Sequence, residues 1–357
     1  MKLTSIYLVL ALLLLSTVSF AQAPEDMAVV TDSAVVAKQV VEKAYNAGIA
    51  ALNSKNYPLA ISEFDKAIKG NPDFMVAYQN RGSAYSQMKK HQEALKDFSK
   101  AIHLSPDSNN AYYGRALVYL ELGKKSEANK DFEMDVKING DKKISYYNLG
   151  LLKFSKGEYS EAIKQFDAAI KLDKQFVNAL NDRGSAKRLS GDLKGAIADY
   201  QMALIYDSKH TFIYNNLGSA YRLSGDLDKA EANYDKAILL DPKNFVALNN
   251  RGRTLFELGK YKEALNDFNA ALKVKPDYKL ALNNRGNAHY ELKQYEAAIL
   301  DYNEALVIDP NYDLAYLNRG ISREMARDNE GACADWAKAK ELGIKNAQKY
   351  IQQTCID

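Results

Sequence analysis

Residues 247–276 read ALNNRGRTLFELGKYKEALNDFNAALKVKP, and 34 positions further on residues 281–310 read ALNNRGNAHYELKQYEAAILDYNEALVIDP. The agreement extends outward in both directions. A small residue recurs at the same interval, as Gly48, Gly82, Ala116, Gly150, Gly184, Gly218, Gly252, Gly286 and Gly320. Alanine follows 12 positions after each, from Ala60 through Ala94, Ala128, Ala162, Ala196, Ala230, Ala264 and Ala298 to Ala332. An aromatic comes 4 positions later still: Phe64, Phe98, Phe132, Phe166, Tyr200, Tyr234, Phe268, Tyr302 and Trp336. A fixed period in the range of roughly 20–50 residues is the mark of a stacked repeat architecture.

Each unit reads as two helices. The first covers about three turns and stops at a Gly-Lys or Gly-Asp turn; the second, as in Lys262–Val274, has apolar residues three and four apart. Asp241-Pro242, Lys275-Pro276 and Asp309-Pro310 end second helices, because proline cannot continue one. Glycine inside a helix costs about 1 kcal/mol against alanine, so its regular return needs a packing reason. Close approach of the paired backbones, with the aromatic beside them, supplies that reason. No pair can bury its apolar face alone, so neighbouring units must stack.

These landmarks resemble the tetratricopeptide repeat family, which has a small residue at repeat position 8, Ala at 20, an aromatic at 24, Ala at 27 and often Pro at 32. The resemblance covers Val41 to Asn346 in nine copies. It implies an all-α fold, a right-handed superhelical solenoid of antiparallel helix pairs whose first helices line the concave surface. The sequence departs from the pattern mainly in the middle. Gly140, Lys174 and Ser208 stand in place of proline, and repeat 3 also carries Gly114 and Asp135.

The termini differ from the array. Residues 1–21 have the grammar of a secretory signal peptide: Lys2, an uncharged run from Leu3 to Val18, and Ser19-Phe20-Ala21 before a cleavage point at Gln22. Residues 22–40 read as a leader and the start of the first helix, 41–346 as the nine units, and 347–357 as a capping helix bearing Tyr350, Ile351 and Cys355. The expected mature chain is exported, periplasmic or secreted, with no integral membrane segment.

Net charge is +3, with both signs interspersed, so the basic stripe of a nucleic-acid binder is missing. Phosphate-binding glycine loops, nucleophile elbows and metalloprotease His pairs are also missing. His91, His103, His210 and His289 never fall at metal-ligand spacing. No catalytic residue, metal or cofactor is expected, and the expected partner is a protein or peptide.

Three residue sets stand out. Arginine fills repeat position 7 in six units, and each arginine is followed 16 residues later by aspartate: Arg81 and Asp97, Arg115 and Asp131, Arg183 and Asp199, Arg251 and Asp267, Arg285 and Asp301, Arg319 and Asp335. Where position 7 is Leu149, Leu217 or Ala47, the partner is Gln165, Asn233 or Glu63. A guanidinium grips a carboxylate through two parallel hydrogen bonds, which predicts a structural ion pair between the two helices of one repeat.

Asparagine occupies position 6 as Asn46, Asn80, Asn148, Asn216, Asn250, Asn284 and Asn318, although it is a poor helix former. Positions 2, 6, 9 and 13 share one face of the first helix. The column resembles the asparagine ladder in the repeat domain of O-linked N-acetylglucosamine transferase. That likeness implies that Asn80 and its successors hold an extended peptide by its backbone; the competing reading is that the amides satisfy neighbouring repeats. Arg188, Arg222 and Arg253 lie on or near the same side of repeats 5–7, where they would favour acidic ligand groups. Position 2 carries no base, against a carboxylate-clamp type of chaperone groove. Finally, Cys333 and Cys355 are the only cysteines, and an even count in an exported chain predicts a disulfide. Two functional classes follow: a non-catalytic interaction scaffold using the concave groove, or a structural subunit of an envelope or secretion assembly using the convex face and ends.

Overall fold

The computed structural model describes residues 32–138 and 140–355. The expected signal peptide, residues 1–21, and residues 22–31 lie outside this range. The chain forms helix pairs in strict succession: α1 (Asp32–Asn53) with α2 (Tyr57–Gly70), α3 (Met75–Gln87) with α4 (His91–Leu104), and α5 (Asn109–Glu121) with α6 (Lys125–Ile138). Next come α7 (Lys143–Ser155) with α8 (Tyr159–Leu172), α9 (Val177–Leu189) with α10 (Leu193–Tyr206), and α11 (Thr211–Leu223) with α12 (Leu227–Leu240). The last pairs are α13 (Phe245–Glu257) with α14 (Tyr261–Val274), α15 (Lys279–Glu291) with α16 (Tyr295–Ile308), and α17 (Asp313–Met325) with α18 (Asn329–Glu341), closed by α19 (Ala347–Thr354). Every helix packs on its sequence neighbours, and successive first helices also touch one another from α1 to α5 and from α7 to α17. The described residues therefore form an all-α superhelical array.

The periodic residues build the core. A Cβ added at Gly150 would lie 2.4 Å from the Phe166 ring, and one added at Gly252 would lie 2.6 Å from that of Phe268. Phe64, Phe166, Tyr200, Tyr234, Phe268 and Trp336 are fully buried, as are the position-20 alanines. Gly150→Ala should therefore cost about 1–3 kcal/mol through overpacking, read from the urea unfolding midpoint; an unchanged midpoint would show that the ring has room to move.

The departures in repeat 3 have local causes. A Cβ at Gly114 would meet the Phe98 ring of the preceding repeat at 2.5 Å. Asp135 replaces the usual alanine and is buried; it is reached by the Ser145 hydroxyl and, at 3.3 Å, by Lys142 Nζ. The turn between the helices always needs a left-handed residue. Glycine supplies it at Gly123, Gly157, Gly191, Gly225 and Gly259, whereas Lys55, Lys89, Lys293 and Arg327 adopt the same φ with a side chain.

The two ends differ. At the C-terminus α19 lies against α18, with Tyr350 stacked on Trp336 at 5.2 Å. Cys333 and Cys355 lie at disulfide distance, with Cα atoms 5.8 Å apart. At the N-terminus α1 runs for 22 residues against 13 in the other first helices, and Val36 and Val40 stay exposed.

Candidate functional site: the inner face and its asparagine ladder

The arginines at position 7 are placed by the first helix of each repeat, beside the second helix that carries the aspartate. Arg81 donates from Nε and Nη2 to the two carboxylate oxygens of Asp97, both at 2.7 Å. The same fork recurs at 2.5–3.0 Å from Arg115, Arg183, Arg251, Arg285 and Arg319 to Asp131, Asp199, Asp267, Asp301 and Asp335. Burial pushes the Asp97 carboxyl up, with the Arg81 hydrogen bonds pulling it back.

Each guanidinium also reaches backward, which sequence reasoning missed. Nη1 of Arg81 donates to Asp65 of the preceding repeat at 2.5 Å, and Arg183, Arg251, Arg285, Arg319 and Arg115 reach Asp167, Asp235, Asn269, Asn303 and Ser99. A signal existed: the residue 16 positions before each arginine is Asp, Asn or Ser, whereas before Leu149 and Leu217 it is Glu133 and Gln201. The arginines thus join repeats as well as helices within a repeat.

The asparagine column is a hydrogen-bonded ladder. Asn216, Asn250, Asn284 and Asn318 donate from Nδ2 to the Oδ1 of Asn181, Asn215, Asn249 and Asn283 in the preceding repeat, at 2.9–3.2 Å. In the first half position 5 is tyrosine at Tyr45, Tyr113 and Tyr147 and glutamine at Gln79. Asn80 donates to the Tyr45 hydroxyl at 3.0 Å, and the Tyr147 hydroxyl donates to Asp182 at 2.7 Å. The position-5 residue was not singled out from sequence because the link spans 35 residues, one more than the repeat.

The ladder leaves capacity over. An amide has two N–H donors and a carbonyl that accepts twice. Asn216, Asn250 and Asn284 each use one donor, and their Oδ1 atoms accept no hydrogen bond among the described residues. They are half-buried, while Asn181, Asn249 and Asn283 behind them are buried. Of the three flanking arginines, Arg222 donates to Glu257 at 2.7 Å and Arg188 has a buried Nε with no partner among the described residues. Arg253 is the exposed one, 4.0 Å from Glu257.

Asp182 breaks the ladder's neutrality. Its carboxylate accepts from Tyr147 and from Asn181 Nδ2 at 2.9 Å, but burial pushes its pKa up to about 6. The folded value lies above the ordinary carboxylate value, so the native state holds the proton more tightly. Stability should therefore fall as pH rises from about 4 through 6. Asp182→Asn is expected to stabilise the protein by about 1–3 kcal/mol at pH 7.5 and by nothing at pH 4, measured by urea unfolding at both; a gain independent of pH would rule out the carboxylate charge as the cause.

Among the described residues no group of His, Cys, Asp or Glu is placed to hold a metal ion, and no helix is long and apolar enough to cross a membrane. An inner face of ladder amides on a stack of helix pairs defines a repeat scaffold of the kind that binds other proteins. Tetratricopeptide repeat profiles match residues 76–108, 210–277 and 249–313, and a TPR repeat profile matches 150–189. The chain belongs to the tetratricopeptide repeat family.

Similar solved structures share the fold. A tetratricopeptide repeat protein from Parabacteroides merdae is 18% identical with TM-score 0.58, covering 70% of this chain and 99% of its own. The C-terminal part of a TPR repeat-containing protein from Cytophaga hutchinsonii is 22% identical with TM-score 0.55, over 67% and 98%. The Cut9–Hcn1 hetero-tetramer of the APC/C aligns at 18% identity and TM-score 0.57, over 84% and 59%. The comparison with curated proteins gave no match.

Proposed function

We propose that this protein is a non-catalytic interaction scaffold outside the cytoplasm, and that it binds an extended peptide or partner segment along the inner face. The observation that carries the reading is the unused hydrogen-bonding capacity of Asn216, Asn250 and Asn284, at one amide per repeat. A free carbonyl and a free N–H match the C=O and N–H of an extended main chain without reading its side chains. Arg253 adds a positive charge beside the row. Asn80, Asn148 and Asn318 extend the same line of amides toward the two ends. The cysteine pair supports export, because such bridges persist in oxidising compartments.

A pull-down from the exported fraction with crosslinking, using the mature chain as bait, tests the reading. Crosslinks are expected on first helices of repeats 5–9. Crosslinks confined to second helices would replace the groove with the outer face. That second reading, a structural subunit of an envelope or secretion assembly, is favoured by one observation: Ile205, Leu239 and Val307 are 72%, 81% and 82% exposed at the same position of their second helices. Two free thiols in protein purified without reductant would argue against the exported location.

A further inference from the structure

We propose that the inner face of repeats 6–9 selects a polyproline II segment with an apolar side chain at every third residue; this rests on the groove reading above and specifies its ligand. Phe212, Val246, Leu280 and Leu314 stand one helical turn before Asn216, Asn250, Asn284 and Asn318, so each shares the face of its ladder amide. Phe212, Leu280 and Leu314 are 40–45% exposed. The equivalent residues of the first five repeats are Glu42, Val76, Asn110, Ile144 and Asn178, a mixed set with no continuous row. An unbroken apolar row beside an unbroken amide row therefore occurs only in the C-terminal part of the array.

The ladder sets the spacing of that row. Side-chain amides of neighbouring first helices meet at about 2.9–3.2 Å, so these helices are in direct contact, with axes about 8–10 Å apart. The ligand must repeat its apolar groups at that distance while keeping backbone groups free for the amides. A β-strand returns a side chain to the same face after two residues, about 6.7 Å, or four, about 13 Å, and misses the spacing both ways. Two turns of α-helix rise about 10.8 Å, close to the spacing, but a helix spends its backbone groups internally and would leave the ladder amides without partners. Polyproline II turns once every three residues, rises about 9.3 Å in doing so, and has no internal hydrogen bonds. It alone meets both conditions. Four consecutive repeats then read a ten-residue segment with apolar residues at its first, fourth, seventh and tenth positions.

The test uses labelled twelve-residue peptides with leucine at every second, third or fourth position among Pro, Gln and Ser, and a helix-forming peptide with leucine at every seventh. By fluorescence anisotropy the every-third peptide is expected to bind at least tenfold tighter than the rest. Leu280→Ser with Leu314→Ser should weaken it at least tenfold at an unchanged melting temperature, since both side chains are exposed. Equal affinity for all spacings, preference for the helical peptide, or no binding at all would each overturn the proposal. Photo-crosslinking separates the two levels: equal affinities with crosslinks on α11, α13, α15 and α17 would remove the spacing rule and leave the groove reading standing. Crosslinks on α12, α14 and α16 would remove both.

Discussion

Arg285→Leu should lower the stability of the array by about 3–5 kcal/mol, the usual result of stripping the partner from a buried ion. Asp301 is 4% exposed and takes three hydrogen bonds from Arg285, so its charge would be left in the interior between α15 and α16. His289, 3.8 Å away, is too far to replace the guanidinium fork. Adding Asp301→Asn removes the stranded charge and copies the Leu217–Asn233 combination of repeat 6. Much of the loss should then return. Arg285 also donates to Asn269 of the preceding repeat, and Leu217 is matched there by Gln201. Adding Asn269→Gln copies the full set and should recover a further part. Urea unfolding of the four proteins measures this; single and double variants with equal midpoints would show that the charges are not coupled.

Replacing Asn250, Asn284 and Asn318 together by alanine should have two effects of different origin. The structure assigns these residues four donated hydrogen bonds to Asn215, Asn249, Asn283 and Asn287. At about 0.5–1.5 kcal/mol each, their loss should destabilise the array by at most about 4 kcal/mol, since alanine's better helix propensity returns up to about 2 kcal/mol over the three sites. On the groove reading, binding to the partner should also weaken at least tenfold, since the amides' free capacity goes with them. Asn215→Ala with Asn249→Ala and Asn283→Ala separates the two effects: it removes the acceptors behind the ladder and leaves the inner amides in place. Stability should fall while binding, measured well below the melting temperature, holds. Equal losses of affinity in both triple variants would mean that the ladder acts on binding only by holding the repeats in register.

The position-8 glycines, the position-24 rings and the Arg–Asp couples were legible because both partners sit inside one repeat. Gly252 and Phe268, or Arg251 and Asp267, keep the same separation in copy after copy, so comparing copies exposes the dependence of one on the other. The asparagines were visible as a column, but not their dual use. Whether Asn284 faces a ligand or the preceding helix depends on the angle at which α15 lies on α13, and no residue of the repeat states that angle. The same limit hid the backward reach of the arginines: Asp65 and Asp97 lie 16 residues either side of Arg81, and only the stacking shows that one guanidinium serves both.

The sequence by itself determined the helix pairs, their number and the within-repeat core, because a period of 34 residues with fixed small, aromatic and turn positions admits one local packing. Only the tertiary structure decided which side chains cross between repeats. Those contacts depend on superhelical rotation, a sum of small angles between whole units. That rotation brings Asn249 to Asn284 and lines Phe212, Val246, Leu280 and Leu314 into a row, although neither set is contiguous in the chain.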